Sequence, residues 1–273
     1  MKAHDKRGFT IVELSLASAF LGILLITIAL LVTHVITIYQ KGMTIKSVNT
    51  IGEDLIDNFT RSISASVQPD EVKIDVMYKE QTATVKIARA NKEFSAPSRG
   101  IFCTGTYTYL WNTGYLVDDE NQTYTKPGGD SLKDQRMKVT YPKEDGSGGK
   151  ETIDDFRLLQ VNDLGRALCN GLSSNQLVSF NLDEKPTELL EKSEDNLALY
   201  DLTIFEPKYH NETRHSFYSG TFILATIRGG VNIMDIGNFC TDQPDNLNTD
   251  FAYCAINKFN FATRATGIGD ATK

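Results

Sequence analysis

The stretch that decides the fold is "KRGFTIVELSLASAFLGILLITIALLVTHVITIY", residues 6–39. From Leu14 to Tyr39 there are 26 residues without an Asp, Glu, Lys or Arg. A helix needs about 20 residues to cross a hydrocarbon core of about 30 Å. A secretory signal peptide has a shorter apolar region that ends at a small-residue cleavage site, whereas the only such triplet here, residues 17–19, lies near the front. We therefore predict a retained, single-pass transmembrane helix with its membrane half at residues 14–39.

Charge on either side of this segment predicts its orientation. The short leader before it carries Lys2, Lys6 and Arg7 against one acid, Asp5. Because basic residues favour the cytoplasmic side, the N-terminus should lie in the cytoplasm and the larger C-terminal part outside it.

The apolar periodicity continues past the membrane segment. Apolar residues recur at three- and four-residue steps and form one helical stripe: Ile45, Val48, Ile51, Leu55, Phe59, Ile63 and Val67. Such a stripe indicates an amphipathic helix docked on a core. No proline occurs until Pro69, which should end the pattern. We predict one continuous helix over residues 9–66, followed by a single head over residues 67–273.

The head shows mostly strand patterns. Alternating apolar residues in 72–79 and 82–90 predict a hairpin, and the long apolar run 217–229 predicts a central strand. Short helices are expected at residues 163–169 and 187–194. The chain should therefore be an α+β protein, with a long N-terminal helix packed on a β-rich antiparallel head.

Four cysteines are present, and none lies in a C-x-x-C pair. An even number fits two disulfides in an oxidising compartment, and buried free thiols are the alternative. Four cysteines allow three pairings. Cys240 with Cys254 closes the shortest loop, so we expect that pair and, with it, Cys103 with Cys169.

The segment "KRGFTIVELSLA" resembles the prepilin cleavage and methylation motif of type IV pilins and type II secretion pseudopilins. In that family a membrane peptidase cuts after the glycine of a basic leader and N-methylates the new terminal residue. A glutamate follows four residues later. The resemblance implies a leader over residues 1–8, cleavage between Gly8 and Phe9, methylation of Phe9, and a role for Glu13 in assembly.

Glu13 is the one carboxylate in the apolar stretch, and two interpretations account for it. At a helix start the side chain can reach the interface, and the helix dipole favours an anion there. The resemblance adds a partner, because the Phe9 amine of a neighbouring subunit could pair with an otherwise unpaired Glu13 and set the register of a fibre. Thr10 is a candidate cap for the same helix start.

Other classes of function lack a signal. The chain has a net charge of −7 and no Lys/Arg-rich tract, so nucleic-acid binding is not expected. No nucleotide loop or nucleophile elbow occurs, so we expect no enzyme, no cofactor and no small-molecule substrate. His210 and His215 fall in an expected solvated loop, and residues 118–120 lack the spacing of a calcium loop, so we expect no metal.

The resemblance implies a structural subunit, with other pilins, the prepilin peptidase and the membrane as partners. The large head favours a minor pilin at low copy number or at the fibre tip. A type II secretion pseudopilin carries the same motif and is the alternative. A pilin-anchored adhesin or other binding protein is a further alternative, and an anchored enzyme is the least favoured.

Overall fold

A computed structural model gives the fold of the chain. It describes residues 10–65, 77–80, 83–87, 92–96, 99–104, 106–117, 124–125, 136–144, 148–164, 167–168, 177–190, 197–210, 215–226 and 255–265. One long apolar helix at the N-terminus packs on a head of mainly antiparallel sheets. The predicted α+β class is confirmed.

The elements follow one another along the chain with the long helix first. The helices within the described residues are α1 (Ile11–Ser64) and α2 (Gly114–Val117). The strands are β1 (Met77–Glu80), β2 (Ala83–Ile87), β3 (Lys92–Ala96), β4 (Arg99–Cys103), β5 (Tyr107–Asn112), β6 (Tyr124–Thr125), β7 (Lys138–Pro142), β8 (Lys150–Ile153), β9 (Leu158–Asn162), β10 (Ser179–Asn181), β11 (Thr187–Glu188), β12 (Leu197–His210), β13 (His215–Thr226) and β14 (Ile256–Ala265).

Helix α1 is continuous over 54 residues. Thr10 caps its start, and at its end the backbone N–H of Ala65 donates to the carbonyl oxygen of Arg61. Gly22 and Gly42 lie inside it without interrupting it. The predicted helix over residues 9–66 is confirmed over Ile11–Ser64, with Thr10 and Ala65 as its caps, and residues 9 and 66 lie outside the described residues.

One face of the second half of α1 is buried in the head. The buried residues recur at three- and four-residue steps and are Thr44, Val48, Gly52, Leu55, Phe59, Ser62 and Ile63. Of the predicted stripe, Val48, Leu55, Phe59 and Ile63 are buried and Ile51 is half-buried, whereas Ile45 is 43% exposed and Val67 lies outside the described residues. Ile45 lies five full helical turns before the buried Ile63 and so on the same side of the helix. Its exposure reflects its place at the end of the docked half, next to residues 10–43, of which none is buried.

Phe59 is the centre of the core between helix and head. Its side chain is fully buried. Four aromatic rings surround it, with centroids 4.9–6.2 Å away, and they come from Phe102, Tyr109, Phe222 and Phe261. Three of the four meet the Phe59 ring edge to face, a favourable arrangement for aromatic pairs. The helix is therefore part of the core of the head.

The described strands form four sheets. A five-stranded sheet has the order β1-β4-β5-β9-β11, and three-stranded sheets have the orders β10-β7-β8, β12-β13-β14 and β3-β2-β6. In the sheet β12-β13-β14, β13 is the central strand, as its long apolar run predicted. Strand β14 packs along α1, so this sheet covers the buried face of the helix.

The predicted hairpin of the head is wrong. Strands β1 and β2 do not form a hairpin, because β1 pairs with β4 whereas β2 pairs with β3 and β6. Alternation tells which side chains share a face of a strand, but it does not tell which strand lies next to it.

Neither predicted short helix is found in the described residues. Thr187–Glu188 form a strand that pairs with β9, and the Arg157 N–H donates to the Glu188 carboxylate at 3.2 Å. Near residue 163, the Asp163 carboxylate accepts from Thr108 Oγ1 at 2.7 Å and from the Leu168 N–H at 3.3 Å, which closes a turn. Tertiary pairing outweighs the weak helical preference of such short segments.

Candidate functional site

The start of α1 brings Thr10 and Glu13 into direct contact. Glu13 Oε2 accepts hydrogen bonds from the Thr10 N–H and from Thr10 Oγ1, both at 2.9 Å. In return, Thr10 Oγ1 accepts from the Glu13 N–H at 3.3 Å. This arrangement is a capping box, in which each side chain satisfies a backbone donor of the first helical turn. The interpretation of Thr10 as the helix cap is confirmed.

The capping box gives the Glu13 carboxylate hydrogen-bond partners within its own chain. A role in pairing was expected because an unpaired carboxylate in an apolar segment should be unfavourable. The carboxylate already has two donors within its own chain, on the backbone and the hydroxyl of Thr10. Pairing with a second subunit would therefore extend an existing set of hydrogen bonds rather than rescue an isolated charge.

Apolar side chains surround Glu13 along the outer surface of the helix. Glu13 is one of the residues that line an open hollow of about 620 Å³, together with Leu16, Ala17, Ala19, Phe20, Leu21 and Ile23. Leu16 and Phe20 are 74% and 71% exposed. A lone anion therefore lies beside an apolar surface that is uncovered in the single chain.

The membrane half of α1 stands clear of the head. No residue between 10 and 43 is buried, although this range holds most of the large apolar side chains of the helix. The helix is long and apolar enough to cross a membrane, and no residue of the segment that gives it this property is buried. Solvent exposure of so many apolar side chains is unfavourable, so a membrane or other apolar surroundings should cover this half.

Polar contacts fix the other half of α1 to the head. Tyr109 Oη donates to Asn58 Oδ1 at 2.6 Å, and Gln160 Nε2 donates to the same oxygen at 3.2 Å. Burial raises the pKa of the Tyr109 hydroxyl to about 12. Further hydrogen bonds cross the interface between the pairs Ser62–Thr104, Ser64–Thr263 and Asn49–Asn257.

Asn58 lies in the sequon Asn58-Phe59-Thr60, a pattern that is typical of an exposed glycosylation acceptor. Its carboxamide oxygen instead joins the helix to two strands through Tyr109 and Gln160. No pattern in the sequence distinguishes this inward asparagine from an exposed one.

Several predicted site residues lie outside the described residues. These include Gly8 and Phe9, so cleavage and N-methylation stay predictions. Cys103 is buried and disulfide-bonded, which agrees with the predicted use of cysteine. Cys169, Cys240 and Cys254 also lie outside the described residues, and the pairing stays a prediction.

The two histidines of the head are placed differently from the expectation. His210 and His215 are not in a loop; they end β12 and begin β13 and are paired across the hairpin. Within the described ranges no group of three or more His, Cys, Asp or Glu side chains is arranged to hold a metal ion. Residues 118–120, considered above for calcium, lie outside those ranges.

Comparison of the chain with protein-family models, with curated proteins and with solved structures gives no significant match.

Proposed function

We propose that the protein is a structural subunit of a type IV pilus, a minor pilin that is processed by prepilin peptidase and assembled through α1. The observation that carries the proposal is the division of one 54-residue helix into an exposed apolar half and a half buried in the head. A subunit of this form can leave the membrane only if other apolar surfaces replace the lipid around its first half. Packing against the same helix of other subunits would provide them.

The local sequence supports the same proposal. The basic leader, Gly8-Phe9 and Glu13 follow one another at the spacing of the prepilin motif. Cleavage after Gly8 would leave Thr10 and Glu13 in place, so the capping box would survive processing. It would also create a cationic amine on Phe9, four residues before the carboxylate. Each processed subunit would then carry an amine and a carboxylate at the start of its helix, and the amine of one subunit could pair with the carboxylate of the next.

The proposed role of Glu13 is to set the axial register between subunits. In an apolar bundle, helices can slide past one another at little cost, because one apolar contact resembles the next. An ion pair at low dielectric is distance-dependent and therefore selects one register. The carboxylate on an exposed apolar helix would then specify position, and the surrounding side chains would provide adhesion.

Replacement of Glu13 tests this function. Glu13→Ala should leave removal of the leader nearly intact but lower incorporation into fibres by about tenfold or more, since one charge-assisted pair at each interface would be lost. Incorporation is measured as the sheared, fibre-bound fraction of the mature chain.

Glu53→Ala is the matched control. It removes the same charge from the exposed surface of the docked half of α1, and it should assemble normally. Normal incorporation of Glu13→Ala would contradict the proposed role, whereas an equal loss in both variants would indicate a general effect of charge.

A further inference from the structure

The geometry points to Thr10 as a positioning residue that orients the Glu13 carboxylate for its contact with the next subunit, an inference that rests on the proposed function. Both donors of Thr10, the backbone N–H and the hydroxyl, bind the same oxygen, Oε2, at 2.9 Å. The acid is thus held through one of its two oxygens and in one orientation.

The second oxygen of Glu13 stays available. Oε1 has no hydrogen-bond partner in residues 10–65 or elsewhere in the described part of the chain. An ionised carboxylate can accept about four hydrogen bonds over its two oxygens. An amine from another subunit could therefore bind Oε1 while the capping box remains closed.

Orientation matters because a glutamate side chain is flexible. A free glutamate loses rotamer freedom when it binds a partner, and this loss weakens the contact. Here the side chain is already ordered in the single chain by two hydrogen bonds. Glu13 also lines the hollow formed with Leu16, Ala17 and Phe20, where an apolar helix of a neighbour would lie.

Substitution at Thr10 separates this role from others. Thr10→Val keeps the shape of the side chain but removes the hydroxyl that donates to Glu13. Thr10→Ser is the matched control, because it keeps that hydroxyl. The measurement uses the full-length chain in cells that process and assemble it, with a photo-crosslinking residue at Leu16, which is 74% exposed and lines the same hollow.

The readout is the yield of subunit–subunit adduct, divided by the amount of mature chain determined by mass spectrometry. This division removes any effect of Thr10, which lies beside the predicted cut, on leader removal. We expect Thr10→Val to lower the adduct yield about fivefold, in the range that one hydrogen bond supports. Thr10→Ser should stay within about twofold of the unaltered chain.

A double-mutant cycle with Glu13→Ala then shows whether Thr10 acts through Glu13. If it does, Thr10→Val causes no further loss in the Glu13→Ala chain. Thr10 Oγ1 also accepts a hydrogen bond from the backbone N–H of residue 13. This bond remains in the Glu13→Ala chain, so a role of Thr10 in capping the helix alone would reduce the yield equally with and without the Glu13 carboxylate. An equal loss in both backgrounds, or a failure of Thr10→Ser to restore the yield, would overturn the inference.

The same cycle distinguishes failure of this inference from failure of the proposed function. If Glu13→Ala lowers the adduct yield and Thr10→Val does not, the positioning role is wrong and the function stands. If Glu13→Ala leaves the yield unchanged, the assembly role of Glu13 is wrong and the inference falls with it.

Discussion

The two halves of α1 have the same backbone and opposite surroundings. From residue 10 to residue 43 no side chain is buried, whereas beyond it seven residues form a buried stripe. The first half is apolar on all sides and carries one acid, Glu13, at its start. The second half is apolar on one side and is fixed by hydrogen bonds. The comparison shows that one helix can serve two purposes, because its surface pattern changes while its hydrogen-bonded backbone continues.

The largest expected difference between the halves is in the free energy of unfolding after a phenylalanine of each half is replaced by alanine. Phe59→Ala should lower the free energy of unfolding of the head by about 3–5 kcal/mol, because a fully packed aromatic ring is replaced by a cavity. Phe20→Ala removes the same ring from a side chain that is 71% exposed, and it should leave head stability unchanged. Urea unfolding in detergent can be followed through Trp111, the only tryptophan of the chain, which is fully buried.

Equal losses for the two phenylalanine variants would contradict the division of the helix. They would mean that the membrane half also contributes to the stability of the head.

Alanine substitution of two glycines, one in each half of α1, should produce a smaller difference in the free energy of unfolding. A Cβ on Gly52 would overlap the Phe259 ring, whereas a Cβ on Gly42 would meet nothing within 4 Å. Phe259 stacks on Phe222 at 5.1 Å and is only 8% exposed, so it has little room to move. Gly52→Ala should therefore lower the free energy of unfolding by about 1–3 kcal/mol through overpacking. Gly42→Ala should be neutral or raise it by up to about 1 kcal/mol, since alanine favours a helix.

The glycine pair is measured by the same urea unfolding. A Gly52→Ala chain as stable as the Gly42→Ala chain would show that α1 packs less closely on β14 than the structure indicates.

The sequence predicts the helix better than it predicts the head, for a physical reason. An apolar run of 26 residues and a stripe at helical spacing are local patterns, so they specify α1 without knowledge of any partner. The pairing of β1 with β4 and the strand at Thr187–Glu188 depend on residues distant in sequence. Alternation alone does not carry that information.

The residues discussed for the candidate site and the docked half also differ in how well the sequence predicts their roles. The capping box could be expected from a Thr and a Glu three positions apart before an apolar run, and it is present. The roles of Gly52 and Asn58 could not be expected, because a close approach to Phe259 and a bond to Tyr109 arise only in the folded chain.

The smallest expected change in the free energy of unfolding comes from removing the Tyr109 hydroxyl, which contacts the docked half of α1. Tyr109→Phe removes the hydrogen bond to Asn58, and it should lower the free energy of unfolding by about 1 kcal/mol at neutral pH. Because the folded pKa of Tyr109 is raised to about 12, the unfolded chain releases this proton more readily. Stability of the unaltered chain should therefore fall as the pH rises from about 10 to 12, by on the order of 2 kcal/mol from this group.

The variant lacks that loss, so its stability should approach or exceed that of the unaltered chain near pH 12. The measurement is the difference in unfolding free energy between the two chains across this pH range. A difference that stays constant with pH would indicate that Tyr109 is not buried against Asn58.

The central claim is that the exposed half of α1 belongs to a processed, assembling subunit. The most direct test is intact-mass and N-terminal peptide mass spectrometry of the protein from cells that contain prepilin peptidase. The account predicts a chain that lacks residues 1–8 and begins with N-methylated Phe9. A chain that keeps its leader intact in those cells would contradict the account.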